Sequence, residues 1–428
     1  MLGLLLVGAV GQPAHAEGMR AQQWFLDAMK AEQMWRTSTG KGITVAVIDT
    51  GVDADNADLK GRVLRGKDFA EGQPGDEHSD YDGHGTGMAG LIAGTGAADG
   101  GNGAFGLAPG AKILPVRMPK STTSANEAAS IEQFNQVLPK AIRYAADAGA
   151  QVINISMGAE EGSPGVTAAV KYALGKGALV FAGVGNSGDK GNPVQYPAAT
   201  PGVVGVAAVG KDLRRTPWSE YGPQVDMSAP GAGMVAACTS TTGFCKTDGT
   251  SDATALASAS AALIWSKHPD WTNNQVLRVM LNTIGAPTDG AKRNDSIGYG
   301  IVRPRIALQN PGDPGPANVY PLPDPKGAAP NPTSPKASQT GGAATPASNG
   351  NSAAASSASD ADTIWIALGV GAVVLLGAAI TVAAIARRRR TTTAPLPTPG
   401  HSHYGAPGGT PPLHTPPVPP NSFPPSDR

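Results

Sequence analysis

Three short segments carry residue types that together could perform nucleophilic catalysis on a carbonyl group. Asp49 ends an apolar run, His84 stands in a Gly-rich segment, and Ser251 begins a pattern rich in Ala and Ser. A serine oxygen attacks a peptide carbonyl only if a base removes its proton, and an imidazole does so well when a carboxylate fixes its tautomer. The sequence therefore predicts an Asp–His–Ser triad, in that order along the chain.

A hydrogen-bond donor for the negative oxygen of such a reaction is also present. Asn186 lies on a Gly-rich turn directly after a predicted buried strand, where its side-chain amide would be held ready. The backbone N–H of Ser251 would supply a second donor, because we expect a helix to begin there and to run to about Lys267.

Short apolar runs predict the strands that must position these residues, and amphipathic patterns between them predict helices. The predicted strands cover residues 43–48, 151–155, 178–182 and 203–208, and the predicted helices cover residues 134–148 and 166–176. Continuous apolar runs are typical of strands that are buried on both faces. Their alternation with helices predicts a doubly wound, mainly parallel α/β sheet with its active site beyond the carboxyl ends of the strands.

These segments resemble the subtilisin family of serine proteases, over roughly residues 42–308. The stretches around Tyr196 and Ser228 are similar to the Tyr-Pro-Ala and Ala-Pro-Gly turns of that family. The resemblance implies a protein or peptide substrate and a small or modestly apolar side chain before the scissile bond. It also implies a cleft with two walls, formed by Ser156, Met157 and Gly158 and by Ala182 and Gly183.

The residue after the predicted nucleophile departs from the family pattern, because Asp252 stands where relatives have a large apolar residue. A carboxylate there would lie near the leaving-group side, where it would favour a basic leaving group or repel the oxyanion. The alternative is a cap in the first helical turn, worth ~0.3–1 kcal/mol. We hypothesise that Asp252 alters the pH profile.

Cys238 and Cys245 are the only cysteines of the chain, and both precede Ser251 by a few residues. In an exported domain they are expected to form a disulfide, and two buried free thiols are the alternative. Closing so short a loop would contribute ~2.5 kcal/mol in the chain-entropy model.

Neither a cofactor nor a nucleic-acid partner is indicated. The 33 basic and 33 acidic residues leave no net charge, so the basic surface that nucleic acids require is missing. An acidic stretch at residues 76–82 could ligate a calcium ion, but its spacing is not that of an EF-hand. The alternative for this stretch is a solvated rim that attracts basic substrate residues.

The beginning of the chain predicts export. Residues 1–16 form an apolar run that ends in a small-x-small cleavage pattern, so we interpret them as a signal peptide. The usual basic residues are missing, and we expect a start codon upstream; a weak signal or a chance apolar stretch is the alternative. Residues 17–41 are too few for a conventional prodomain, and we expect this extension to pack on the peptidase domain at 42–309 or, alternatively, to cover the cleft.

The end of the chain predicts a membrane anchor. Residues 310–362 are a linker rich in Pro, Ala, Ser and Gly, with almost no large apolar residues. Residues 363–386 carry no charge and as a helix would reach ~36 Å, enough to cross a bilayer. Four arginines begin the Pro-rich tail at 387–428 and predict that this tail is cytoplasmic, so the catalytic domain would be extracellular on a single-pass protein of the cell membrane.

This layout is similar to that of the mycosins, the membrane-anchored proteases of type VII secretion systems. The resemblance implies a membrane lipid environment and a type VII secretion membrane complex as a partner. Two functions follow, an active endopeptidase and a catalytically weak or inactive scaffold that stabilises the secretion complex.

Overall fold

A parallel sheet forms the centre of the computed structural model, which describes residues 18–120 and 126–323. The strands are β1 (Thr44–Asp49), β2 (Lys67–Asp68), β3 (Lys112–Arg117), β4 (Val152–Ile155), β5 (Leu179–Gly183), β6 (Val204–Val209), β7 (Met227–Pro230), β8 (Met234–Ala237) and β9 (Phe244–Thr247). Seven of them form one sheet in the order β2-β3-β1-β4-β5-β6-β7, in which each neighbouring pair is parallel. Strands β8 and β9 form a separate antiparallel hairpin.

Helices cover both faces of the sheet. They are α1 (Met19–Gln22), α2 (Trp24–Met29), α3 (Ala31–Trp35), α4 (His84–Ala93), α5 (Glu127–Asp147), α6 (Pro164–Gly175), α7 (Thr250–Lys267), α8 (Asn273–Asn282) and α9 (Pro304–Gln309). Alternate residues of a strand point to opposite faces. Accordingly, Val45 and Val47 of β1 pack on the side of α4 and α7, whereas Ala46 and Ile48 pack on the side of α5 and α6.

The predicted doubly wound α/β sheet is confirmed, and the four predicted strands agree with β1, β4, β5 and β6. The main difference is α5, which begins at Glu127 rather than at Phe134. Its early start has a local cause, because the side chain of Asn126 accepts a hydrogen bond from the backbone N–H of Ala129 and caps the helix.

The short helices α1–α3 contribute to the main core. Phe25 and Leu26 are fully buried and Met34 nearly so. The side chain of Gln23 donates to the carbonyl oxygens of Phe105 and Val235, at 2.8 and 3.0 Å. This N-terminal segment therefore lies against the rest of the domain along most of its length.

The first part of the predicted linker packs on the folded domain. Within residues 310–323, the carbonyl oxygens of Pro314 and Pro316 accept hydrogen bonds from Arg278 of α8, and Leu322 is buried. Backbone carbonyls of this Pro- and Gly-rich stretch accept hydrogen bonds from a guanidinium group, and these bonds hold the stretch on the domain.

The predicted signal peptide, the rest of the linker, the predicted membrane span and the tail lie outside the described residues. Among residues 18–120 and 126–323, no helix is both long enough and apolar enough to cross a membrane. The division of the chain into domains stays a prediction.

Candidate active site

Asp49 and His84 meet at the carboxyl end of β1. Asp49 is the last residue of that strand and is fully buried, and His84 is the first residue of α4. The Nδ1–H of His84 donates to Oδ1 of Asp49 at 2.7 Å. The close approach of α4 to the loop after β1 requires a glycine at position 85, because a Cβ there would lie 2.1 Å from the carbonyl oxygen of Gly51.

The electrostatic environment of His84 favours its charged form. Burial by itself lowers the pKa of His84, but the charge of Asp49 and its hydrogen bond raise that pKa, with smaller contributions from Asp252 and Asp80, and the net shift is upward. The imidazolium form that arises when a base accepts a proton is therefore stabilised here.

Asp80 anchors the loop that leads into α4. Its carboxylate accepts hydrogen bonds from the hydroxyl of Thr50 at 2.7 Å and from the hydroxyl of Thr86 at 2.6 Å, and also from the N–H of Gly83. Thr50 in turn accepts the N–H of Gly85. These bonds fix the backbone on both sides of His84.

The acidic stretch at residues 76–82 is thus used to build a loop. Asp76 likewise accepts hydrogen bonds from the hydroxyl of Ser79 and the N–H of His78. Within the described ranges, no group of three or more His, Cys, Asp or Glu side chains is arranged to hold a metal ion.

Ser251 is the second residue of α7 and contacts Ser156, the residue that follows β4. Its hydroxyl donates to the carbonyl oxygen of Ser156 at 3.1 Å. In the part of the chain that the structure describes, no hydrogen bond joins Ser251 to His84. Such bonds are often long before substrate binds.

Asn186 lies beside the start of α7. Its Oδ1 accepts the N–H of Thr250 at 2.9 Å, and the hydroxyl of Thr250 accepts the N–H of Gly185 at 3.2 Å. Since the oxygen of the Asn186 amide is occupied, the NH₂ group is the end that remains available for an oxyanion.

A buried polar network that the sequence analysis did not predict links β4 to α7. The hydroxyl of Ser258 donates to Oδ1 of Asn154 at 3.0 Å, and Nδ2 of Asn154 donates to the hydroxyl of Ser156 at 3.0 Å. Ser156 then donates to the carbonyl oxygen of Ser251 at 3.2 Å. A run of hydrogen bonds therefore connects the interior of the helix to the predicted nucleophile.

A cleft of about 480 Å³ opens beside His84. Three of the predicted substrate-binding residues line it, namely Ser156, Met157 and Gly158. The first turns of α5 form the facing wall with Ile131 and Phe134, which the sequence analysis did not identify.

The other two predicted wall residues do not line this cleft. Ala182 is fully buried, and its side chain belongs to the core on the α5 and α6 side of the sheet. Gly183 faces α7 instead, where a Cβ would lie 2.9 Å from the hydroxyl oxygen of Thr250. Gln195 lines the cleft beside Gly158, and sequence reasoning missed it because an isolated glutamine in a loop carries no signal.

Asp252 is buried in the first turn of α7. Its carboxyl group accepts a hydrogen bond from the hydroxyl of Thr247 on β9. Burial raises the pKa of Asp252 to about 6, against the lowering effects of the Thr247 hydrogen bond and the charge of His84. Asp252 therefore titrates within the electrostatic field of His84.

The predicted disulfide between Cys238 and Cys245 is present and closes the hairpin of β8 and β9. Thr247, the hydrogen-bond partner of Asp252, lies on the same hairpin two residues after Cys245. The crosslink therefore stabilises the segment that contacts the start of α7.

Comparison with known proteins identifies the family of this chain. Residues 40–300 match the model of the subtilase family, peptidase S8. The chain belongs to the subtilase family of serine proteases. It is 33% identical to thermitase of Thermoactinomyces vulgaris over 247 residues, which cover 58% of this chain and 83% of thermitase. It is 35% identical to subtilisin E of Bacillus subtilis over 240 residues, or 56% of this chain and 59% of that protein.

Solved structures that resemble this subtilase include mycosins. MycP1 from Mycobacterium smegmatis gives a TM-score of 0.61 at 27% identity and covers 74% of this chain and 91% of its own. The MycP3 protease from the type VII (ESX-3) secretion system gives 0.59 at 32% identity and covers 69% of this chain and 90% of its own. The resemblance to mycosins therefore extends to the three-dimensional structure.

Proposed function

We propose that this subtilase is a membrane-anchored extracytoplasmic serine endopeptidase that uses Asp49, His84 and Ser251 as its catalytic triad. The observation that carries the proposal is the 2.7 Å hydrogen bond between Asp49 and His84, at the edge of the sheet where α7 begins with the predicted nucleophile. Family membership supports hydrolysis of a peptide bond.

The reaction follows from these positions. The hydroxyl of Ser251 leaves the carbonyl of Ser156 and turns to Nε2 of His84, which takes its proton as Oγ attacks the scissile carbonyl carbon. Asp49 stabilises the imidazolium, while the amide of Asn186 and the N–H of Ser251 donate to the oxyanion. His84 then protonates the leaving amine, and water hydrolyses the acyl-enzyme by the same route.

Labelling with a fluorophosphonate probe tests the triad. We expect the full-length protein to be labelled, Ser251→Ala to show no labelling, and Asn186→Ala to label at least about tenfold more slowly, because one oxyanion donor is lost. Ser163→Ala, which removes a partly exposed hydroxyl at the start of α6, is the matched control and should label normally. Equal labelling of Ser251→Ala would contradict the proposal.

A catalytically weak or inactive scaffold is the second candidate. It is favoured by the hydrogen bond that ties the Ser251 hydroxyl to Ser156 and by the acidic residue at position 252. Absence of labelling in a correctly folded protein would leave this candidate as the function.

The membrane part of the proposal rests on the uncharged residues 363–386 and the arginines that follow, all outside the described residues. We expect the full-length protein to resist extraction from membranes at alkaline pH and a chain truncated after residue 362 to be released. Release of both would contradict a membrane span.

An association with a type VII secretion membrane complex is supported by the similarity to the solved mycosins. We expect full-length Ser251→Ala to co-purify with such a complex from membranes solubilised in mild detergent. Migration of the protein alone, with the complex intact in the same extract, would contradict the association.

A further inference from the structure

Glu220 is a fully buried acidic residue in the loop between β6 and β7. The mechanism described above does not use it. Acidic side chains are rarely buried without a cation, and the described contacts of this carboxyl group include no cation.

Glu220 binds the backbone on both sides of Asn186. Its own N–H donates to the carbonyl oxygen of Gly185 at 3.0 Å, and its Oε1 accepts the N–H of Ser187 at 3.2 Å. The residues directly before and after the proposed oxyanion donor are therefore both held by the same residue.

The carboxyl group also packs directly on the loop. Gly185 has a φ of +114°, and a Cβ at this position would lie 2.3 Å from the Cδ of Glu220 and from both of its carboxyl oxygens. Any side chain at position 185 would displace the carboxyl group. Glu220 and Gly185 thus form a close contact immediately beneath the loop that carries Asn186.

The surroundings of this carboxyl group disfavour its ionised form. Its Oε2 is buried and has no hydrogen-bond partner among the described residues. Glu160, a residue that lines the cleft, adds a second negative charge. The guanidinium group of Arg215 donates to backbone carbonyls and packs over Tyr221. Burial, reinforced by Glu160 and opposed by the Ser187 hydrogen bond, raises the pKa of Glu220 to about 7.

We propose that Glu220 is a positioning residue that holds the loop of Asn186 as a neutral carboxyl group, and that its ionisation lowers turnover by placing a negative charge beneath the oxyanion. The inference rests on the proposed function, because it takes Asn186 as the oxyanion donor. A charge introduced next to a developing oxyanion destabilises the transition state more than the bound substrate, so the effect belongs in kcat.

The test compares Glu220→Gln with wild type from about pH 5 to about pH 9, using one neutral peptide substrate. Glutamine can accept the N–H of Ser187 but carries no charge. We expect the ratio of kcat values, variant over wild type, to be near one at the acidic end and to rise to about tenfold at the alkaline end. Taking the ratio cancels the titration of His84. Glu161→Gln removes an exposed charge nearby and is the control, for which we expect no pH-dependent ratio.

Glu220→Ala separates the role of Glu220 in holding the Asn186 loop from the effect of its charge. Loss of both the hydrogen bond and the packing should lower kcat by about tenfold or more at every pH with little change in KM, because a small displacement of a catalytic donor is costly. A ratio for Glu220→Gln that is the same at every pH would overturn the inference and would leave Glu220 with a structural role alone.

A second readout does not require activity. The folded protein holds the proton of Glu220 more tightly than the unfolded chain, so the stability of wild type relative to Glu220→Gln should fall as the pH rises from about 4.5 to about 7. If wild type hydrolysed no peptide, the proposed function would fail, and this stability difference would still test Glu220. If the stability difference between wild type and Glu220→Gln does not change with pH, the inference that the carboxyl group of Glu220 is neutral in the folded protein would be overturned.

Discussion

Ser156 and Ser251 exchange two hydrogen bonds, in which the hydroxyl of each serine donates to the backbone carbonyl of the other, at 3.2 and 3.1 Å. The pair joins the residue that follows β4 to the start of α7. The position of Ser251 is therefore set by the sheet as well as by its own helix. In the proposed mechanism, the Ser251 hydroxyl must exchange one acceptor for another when it turns to His84.

Ser258→Ala tests the buried network behind this pair. The change leaves Oδ1 of Asn154 without its hydroxyl donor, so we expect a loss of ~1–2 kcal/mol in the free energy of unfolding and a severalfold lower kcat. Ser260→Ala is the matched control, because Ser260 is equally buried in α7 and donates only to the carbonyl of Leu256. Denaturant unfolding and peptide hydrolysis measure both effects; equal losses in the two variants would contradict a role for the network.

Asp252→Asn tests the coupling between this carboxyl group and His84. Ionised Asp252 raises the pKa of His84, so its removal should shift the acidic limb of kcat/KM to lower pH by about half a unit to one unit. The exposed Asp270, changed to Asn, is the control. An acidic limb that does not move would rule out the electrostatic coupling and leave helix capping as the role of Asp252.

The same variant has a predicted effect on stability. The folded protein binds the proton of Asp252 more tightly than the unfolded chain, because burial raises its pKa from 3.8 to about 6. The stability of wild type relative to Asp252→Asn should therefore fall between about pH 4 and pH 6, as thermal unfolding at a series of pH values would show.

The charge of the cleft predicts a preference among substrates. The cleft is lined by the carboxylates of Asp82, Glu127 and Glu160, and none of the described residues that line it is Lys or Arg. We expect Glu160→Gln to lower kcat/KM for peptides with basic residues about two- to fivefold more than for neutral peptides. Glu161→Gln is the control, since that neighbouring carboxylate lies outside the cleft. A uniform change for all peptides would contradict electrostatic selection.

Gln23→Ala tests the attachment of the N-terminal helices. Gln23 is fully buried and its amide bonds both the N–H and the carbonyl of Phe105 as well as the carbonyl of Val235. Leaving these groups unpaired should cost ~2–4 kcal/mol, measured as a lower unfolding temperature. The neighbouring Gln22, which is partly exposed, provides the control variant. Equal stability of the two variants would show that the helices are only loosely attached.

The contact between Asp49 and His84 could be predicted because each residue stands where the chain leaves a strand or enters a helix. Parallel strands bring such positions to one edge of the sheet, so Asp49 and His84 meet although 35 positions separate them. Glu220 could not be predicted in this way. An acidic residue in a loop is normally exposed, and its burial depends on Gly185 and Ser187, which precede it in sequence and approach it only in the folded protein.

Two other differences have equally local causes. The family resemblance predicts Ala182 in a wall of the cleft, but the alternation of side chains along β5 turns its side chain into the core. The beginning of the linker packs on the domain through backbone carbonyls, and amino-acid composition does not reveal such contacts. The large apolar residues Tyr320 and Leu322 are the signal in the sequence that could have indicated burial.

The order of the sheet also determines when the enzyme can first become active during its synthesis. β1 is the first strand to be made, yet it lies between β3 and β4, so it has no neighbour in the sheet until β3 follows at Lys112, and its second neighbour follows only at Val152. Ser251, the proposed nucleophile, arrives later still, on a helix that packs against β4, β5, β6 and β7. A chain that is only partly synthesised therefore holds Asp49 and His84 without Ser251, and under the proposed triad it cannot digest itself or its neighbours before the fold is complete.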